Sequence, residues 1–171
     1  MKLKTLTTSV RRIERHLSPA DDWASQLREI AYKSAQSVLS ALIGIQFTRE
    51  KGTADYICTV EADVDAVEIA LWNAGYQRNM LSTWKYRIID NERQDITSAW
   101  VYDPPDTETQ HDVYLFNNGK TVDVYGHKEP SVRNPVEHLD LSTGINGDPD
   151  NRAKAALAEA GIKTTTTYTK Q

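Results

Sequence analysis

The first 44 residues carry apolar side chains with the period of an α-helix. The apolar positions of a first predicted helix are spaced three and four residues apart: Leu3, Leu6, Val10, Ile13 and Leu17. This narrow seam ends near residue 17, and Ser18, Pro19 and two aspartates then form a typical start for a second helix. That helix keeps its period to about residue 43, before Gly44. The segment 1–44 is therefore predicted to form a helical hairpin.

From residue 45 the pattern changes to the alternation that is typical of β-strands. Residues 45–48 and 56–60 are predicted to pair as a hairpin across a turn at 50–53. Two further strands are predicted at 83–89 and 98–102, and consecutive prolines make 103–106 a loop.

Two more helices follow from capping signals. Asp63 precedes an apolar period that Gly75 ends, and Asp148-Pro149-Asp150 opens a last helix that Gly161 ends. Both helices finish with the letters ALxxAG and an apolar residue, which indicates a helix-to-strand transition at each place.

The clearest element is a β-hairpin around Asn118-Gly119, the strongest short turn signal in the chain. A two-residue turn predicts that Asn117 faces Lys120 and that Asp112 faces Tyr125. Alternation then divides the side chains between two faces. One face carries His111, Val113, Leu115, Val122 and Val124; the other carries Asp112, Tyr114, Phe116, Thr121, Asp123, Tyr125 and His127.

These elements predict an α+β fold, in which the N-terminal helical hairpin precedes a mainly antiparallel sheet with one central and one C-terminal helix. The aliphatic face of the sheet is expected to pack on the central helix. The predicted organisation is a hairpin at 1–44, a sheet domain at 45–162, and a threonine-rich tail or edge strand at 163–171.

Composition narrows the classes of function. The chain has 171 residues and a formal net charge of -4, which argues against a surface that binds nucleic acid or anionic membrane throughout. Cys58 is the single cysteine, so an intrachain disulfide and a multi-cysteine metal site are excluded. No apolar run approaches the length of a membrane span. We expect a cytoplasmic protein in a reducing compartment, without cofactor or metal.

The leading interpretation is a non-enzymatic binding or assembly module, because no phosphate loop, zinc motif or nucleophile elbow is present. Helix 1 would bury its seam against another protein or a second copy, and the polar-aromatic face of the hairpin would bind a ligand or subunit. The predicted partner-binding residues are Leu6, Val10, Ile13, Tyr114, Tyr125, Asp112, Asp123 and His127. Trp84, Tyr86, Trp100 and Tyr102 extend this face if they point the same way. Alternatively, the aromatic side chains pack beneath the N-terminal helices.

Two other functions stay open. Residues 1–17 hold five basic residues against one acidic residue, and Arg11, Arg12 and Arg15 would contact phosphates in a small nucleic-acid-associated regulator. A hydrolase would use His127 with Asp112 or Asp123. A site that needs both hairpin histidines is disfavoured, because the register puts His111 and His127 on opposite faces.

If helix 1 mediates assembly, replacing Val10 and Ile13 together with aspartate will abolish it, because two charges would enter the apolar seam. Native mass spectrometry is expected to show the mass falling from a multiple of 19.3 kDa to the monomer. An unchanged mass in a folded double variant would contradict docking through helix 1.

Overall fold

A computed structural model describes residues 49–51, 55–79, 82, 85–131, 133 and 151–165. The predicted N-terminal hairpin, the turn at 50–53 beyond Lys51, and the start of the last helix lie outside these residues. Within the described part, the chain forms a mostly antiparallel sheet with two helices, which confirms the α+β class. No helix of these segments is long and apolar enough to cross a membrane.

The larger sheet has six strands, and every neighbouring pair in it is antiparallel. Its strands, in their spatial order, are β3 (Gln77–Arg78), β6 (Ser98–Tyr102), β7 (Thr109–Asn117), β8 (Val122–Pro130), β2 (Tyr56–Val60) and β9 (Thr164–Thr165). The nine-residue strands β7 and β8 form its centre. The threonines of β9 pair with β2 and make one edge of the sheet.

Helices α1 (Val64–Asn73) and α2 (Asn151–Glu159) contribute to the core on the aliphatic face of this sheet. The core residues from the two helices are small or aliphatic: Val67, Ala70, Leu71, Ala153 and Leu157. They meet Val113, Leu115, Val122 and Val124 of the central hairpin. The prediction that the central helix packs on the aliphatic face is confirmed.

Both helices begin or end as their capping residues predict. The Asp63 carboxylate accepts a hydrogen bond from the Ala66 backbone N–H at 2.8 Å, which caps α1. Gly75 and Gly161 follow the two helices with φ of +89° and +75°, a conformation that favours glycine. After each glycine the next residue donates its backbone N–H to a carbonyl of the helix, Tyr76 to Leu71 and Ile162 to Leu157. At both places the chain then enters an edge strand.

A smaller sheet consists of β1 (Arg49–Glu50), β4 (Lys85–Ile89) and β5 (Glu92–Asp95). Strand β1 runs parallel to β4, and β2 pairs with β8 and β9. The predicted hairpin of 45–48 with 56–60 stays a prediction, because residues 45–48 lie outside the described residues. The β4–β5 hairpin was not predicted. Its turn contains Asp90 and Asn91 at φ of +51° and +66°, and this Asp-Asn pair was the available signal.

The central hairpin is confirmed, but its predicted register is two residues off. Asn117 faces Val122 rather than Lys120, and Asp112 faces His127 rather than Tyr125. The loop holds four residues, 118–121, and the Asn118 N–H donates to the Thr121 carbonyl at 2.8 Å. A two-residue shift preserves the faces, so His111 and His127 still lie on opposite sides of the sheet.

Cys58 is expected to be unreactive in the folded protein. The thiol lies in β2 with no exposed surface, and burial raises the pKa of Cys58 to about 12. Labelling with an aromatic disulfide reagent should be at least about 100-fold slower than in urea-unfolded protein. Equal labelling rates in the two states would contradict this burial.

Candidate functional site

The second face of the large sheet is buried rather than exposed. Tyr114 and Tyr125 each retain 1% of their surface, and they pack with Phe116 and Ala99. The Phe116 and Tyr125 rings meet edge to face with centroids 5.1 Å apart. Trp100 does not extend this face, because it belongs to the core on the helix side together with the half-buried Tyr102. The predicted extension through these two aromatics is therefore wrong.

The small sheet contacts part of this face, and one arginine makes the main contact. Arg87 of β4 is 2% exposed, and its guanidinium lies 4.5 Å from the centre of the Phe116 ring. It forms an ion pair with Asp123 and donates to Asn118 at 2.8 Å and to Gln94. Asp123 was predicted as a partner-binding and hydrolase residue, and it thus forms part of the contact between the two sheets.

Tyr86 alternates with Arg87 along β4 and so belongs to the other face of the small sheet, where the Arg93 guanidinium lies over its ring. Trp84 lies outside the described residues.

A second group of polar side chains surrounds Asp112, and we call it the Asp112 cluster. Its members are Lys51, Asp55, Asn79, Gln110, Asp112, Tyr114, His127 and Glu129. The β7–β8 register creates its centre, because Asp112 faces His127 and Gln110 faces Glu129. The structure therefore brings together three predicted residues, Asp112, Tyr114 and His127, whereas Asp123 lies opposite Phe116, further along the hairpin.

The carboxyl group of Asp112 is withdrawn from water and held from several sides. Tyr114 donates its hydroxyl to one oxygen at 2.9 Å, while Asn79 and Gln110 donate to the other at 3.2 and 3.1 Å. The same Gln110 amide nitrogen donates to Glu129 at 2.8 Å. The carboxyl groups of Asp112 and Glu129 therefore accept hydrogen bonds from the same buried amide.

His127 lies between two carboxylates at the edge of the cluster. Its Nε2 is 3.0 Å from Glu129, and its Nδ1 is 3.4 Å from Asp55 and 3.1 Å from the Lys51 ammonium. The side chains of Asp55 and Glu129 are each 23% exposed, and that of His127 is 11% exposed, whereas that of Lys51 has no exposed surface. Water and small solutes thus meet the carboxylates and the imidazole first.

Burial sets the ionisation of the central group. Desolvation, with a further contribution from the negative charge of Glu129, raises the pKa of Asp112 to about 7. Desolvation also lowers the pKa of His127, but hydrogen bonds to Asp55 and Glu129 outweigh it, so that pKa is raised above its usual value. The cluster thus holds three acidic groups and two basic groups that are joined by hydrogen bonds and ion pairs.

Among the other predicted site residues, Tyr125 packs against Phe116 near the Arg87 guanidinium. Leu6, Val10, Ile13, Arg11, Arg12 and Arg15 lie outside the described residues. Sequence reasoning missed Glu129, Gln110, Lys51, Asp55 and Asn79. The available signal for Glu129 was its spacing from His127, since residues two apart on a strand share a face. No comparable signal joins Lys51 and Asp55 to the hairpin, because they come from a distant segment.

Comparison with known proteins adds no relative: no family model, curated protein or solved structure matches this chain.

The raised pKa of Asp112 predicts a specific pH dependence of stability. Between about pH 4 and pH 7 the folded state holds a proton that the unfolded state has lost, so this group's contribution to stability falls as pH rises. His127 adds the same sign, since the benefit of its raised pKa is complete below 6.5 and is lost as pH passes its folded value.

Asp112→Asn, which resembles the protonated acid, should therefore gain stability relative to the parent protein as pH is raised across this range. Urea unfolding at pH 4.5, 6.0 and 7.5 measures the difference. The exposed Asp95→Asn variant should show no such trend. A difference that is constant with pH would contradict the burial of an acid at position 112.

Proposed function

We propose that the protein is a ligand-binding module and that the Asp112 cluster binds a small positively charged ligand. One observation carries this proposal: ionisable side chains from separate segments converge on a buried carboxyl whose neighbours reach solvent. Clusters of ionisable side chains with perturbed pKa values are enriched at functional sites. This retains the binding class predicted from the sequence, with the hydrogen-bonded cluster as the proposed site in place of an open aromatic surface.

The arrangement of charge favours a cation. The carboxylates of Asp55 and Glu129 lie at the solvent edge with Asp112 behind them, whereas the Lys51 ammonium is buried next to the Tyr114 ring, 4.4 Å from its centre. The groups that reach solvent here are the two carboxylates and, to a smaller extent, the His127 imidazole, so an approaching anion meets two negative groups at the edge. A cation would meet the two carboxylates at the edge first and would compensate the buried acid behind them.

The aromatic residues have a supporting role in this proposal. Tyr114 holds Asp112 through its hydroxyl, and Tyr125 packs beside Arg87, with its ring centre 5.6 Å from the guanidinium. Assembly through Leu6, Val10 and Ile13 stays a separate prediction.

Thermal unfolding of the full chain with a panel of charged solutes tests the proposal. Metal ions, guanidinium-containing compounds and polyamines are compared with phosphate and citrate at equal ionic strength. A cation at about 100-fold excess over its Kd should raise Tm by roughly 5 °C, because only the folded state binds it. Anions should have no effect.

Matched variants localise the effect. Glu129→Gln should remove the shift, whereas His111→Ala, on the opposite face of the same hairpin, and Asp106→Asn, in an exposed loop, should retain it. A folded protein whose Tm responds to none of the cations would contradict the proposal and leave the cluster with a structural role alone. A shift that persists in Glu129→Gln would place the ligand elsewhere.

A further inference from the structure

We infer that the cation is a divalent metal ion held directly by Asp112, His127 and Glu129. This inference rests on the proposed function and adds the chemical identity of the ligand. Each of the three side chains offers one ligand atom, and these atoms all lie within 4.8 Å of one another. Ligands that bind one metal ion at about 2.0–2.2 Å are roughly 3 to 4 Å apart, so small side-chain movements complete the set.

The backbone places these ligands on rigid elements. Asp112 comes from β7, and His127 and Glu129 come from alternate positions of β8, so all three project from one face of the sheet centre. A site on paired central strands needs little ordering when a ligand binds, because neither strand is a loop. Glu129 and His127 also reach the solvent edge, which gives an ion a path to Asp112.

The surroundings supply what metal ligands require. A metal-binding histidine usually donates its second ring N–H to a carboxylate, and Asp55 lies 3.4 Å from His127 Nδ1. The carboxylates are held similarly, because Gln110 donates to both and Tyr114 donates to Asp112. Gln110 has no exposed surface, so water does not compete with the two acids for its amide N–H groups.

Lys51 defines the rearrangement that binding requires. Its ammonium lies 3.1 Å from His127 Nδ1 and 3.5 Å from Asp55. With a metal ion on Nε2, Nδ1 carries the hydrogen and donates to Asp55, so Lys51 gives up its hydrogen bond to the ring. The nearby Asp55 carboxylate keeps that ammonium paired. Both changes are local and leave the metal side of the imidazole unobstructed by Lys51.

The ligand set predicts which metal binds. One imidazole and two carboxylates suit Mn²⁺, Fe²⁺ or Zn²⁺, whereas Ca²⁺ needs six to eight oxygens and Mg²⁺ retains its waters. We therefore expect Mn²⁺ and Zn²⁺ to bind more tightly than Ca²⁺ or Mg²⁺. Three protein ligands also leave coordination positions for water or a second ligand.

Electron paramagnetic resonance of the full chain titrated with Mn²⁺ tests the inference. Loss of the free-ion signal should show one bound Mn²⁺ per chain, and electron spin-echo measurements should detect the ¹⁴N coupling of one imidazole. His127→Gln should remove that coupling, and Glu129→Gln should weaken binding by about 10-fold or more. His111→Gln should leave both unchanged. Circular dichroism identifies variants that have not folded. Asp55→Asn, at the edge of the cluster, should give a loss of Mn²⁺ affinity that is smaller than that of Glu129→Gln.

The outcomes separate this inference from the proposed function. Tm shifts with organic cations but no Mn²⁺ or Zn²⁺ binding would overturn the metal site and leave the binding module. Bound Mn²⁺ without ¹⁴N coupling, or with affinity unaffected by Glu129→Gln, would also overturn it. Absence of both kinds of binding would overturn the two proposals together.

Discussion

The burial of charged side chains on one face of the central β-hairpin is the constraint on which this structure depends. Arg87 and Asp112 are both almost completely withdrawn from water, and an unpaired charge there would cost several kcal/mol. Arg87 meets this requirement with Asp123, Asn118 and Gln94, which also join the two sheets. Asp112 meets it with hydrogen bonds and a raised pKa.

The two faces of the large sheet are therefore stabilised by different interactions. The helix face is aliphatic and is completed by α1 and α2, as in an ordinary two-layer α+β core. The other face mixes tyrosines with ionisable groups, and packing there is inseparable from charge compensation. Tyr114 illustrates this coupling, because its ring lies against Lys51 while its hydroxyl holds Asp112. A ligand that supplied positive charge would stabilise the same interactions.

The proposed site follows from this division. Asp112, His127 and Glu129 project from neighbouring strands toward one point, and Gln110 keeps the two acids close despite their mutual repulsion. Desolvation by burial, with a further contribution from this repulsion, raises the pKa of Asp112, and a proton on its carboxyl group relieves both. In the metal site that we propose, Gln110 and Tyr114 are the donors that hold the carboxylate ligands.

By itself, the sequence determined the features that depend on neighbours along the chain. Asp63 and Gly75 delimit α1, Gly161 ends α2, and alternation assigns each side chain of the 111–127 hairpin to its face. Tertiary structure decided the rest. A four-residue loop moved the register by two and set Asp112 opposite His127, while β1 and Lys51 joined elements far along the chain. Local pattern is blind to such shifts, because moving a strand by two residues leaves every apolar side chain on the same face.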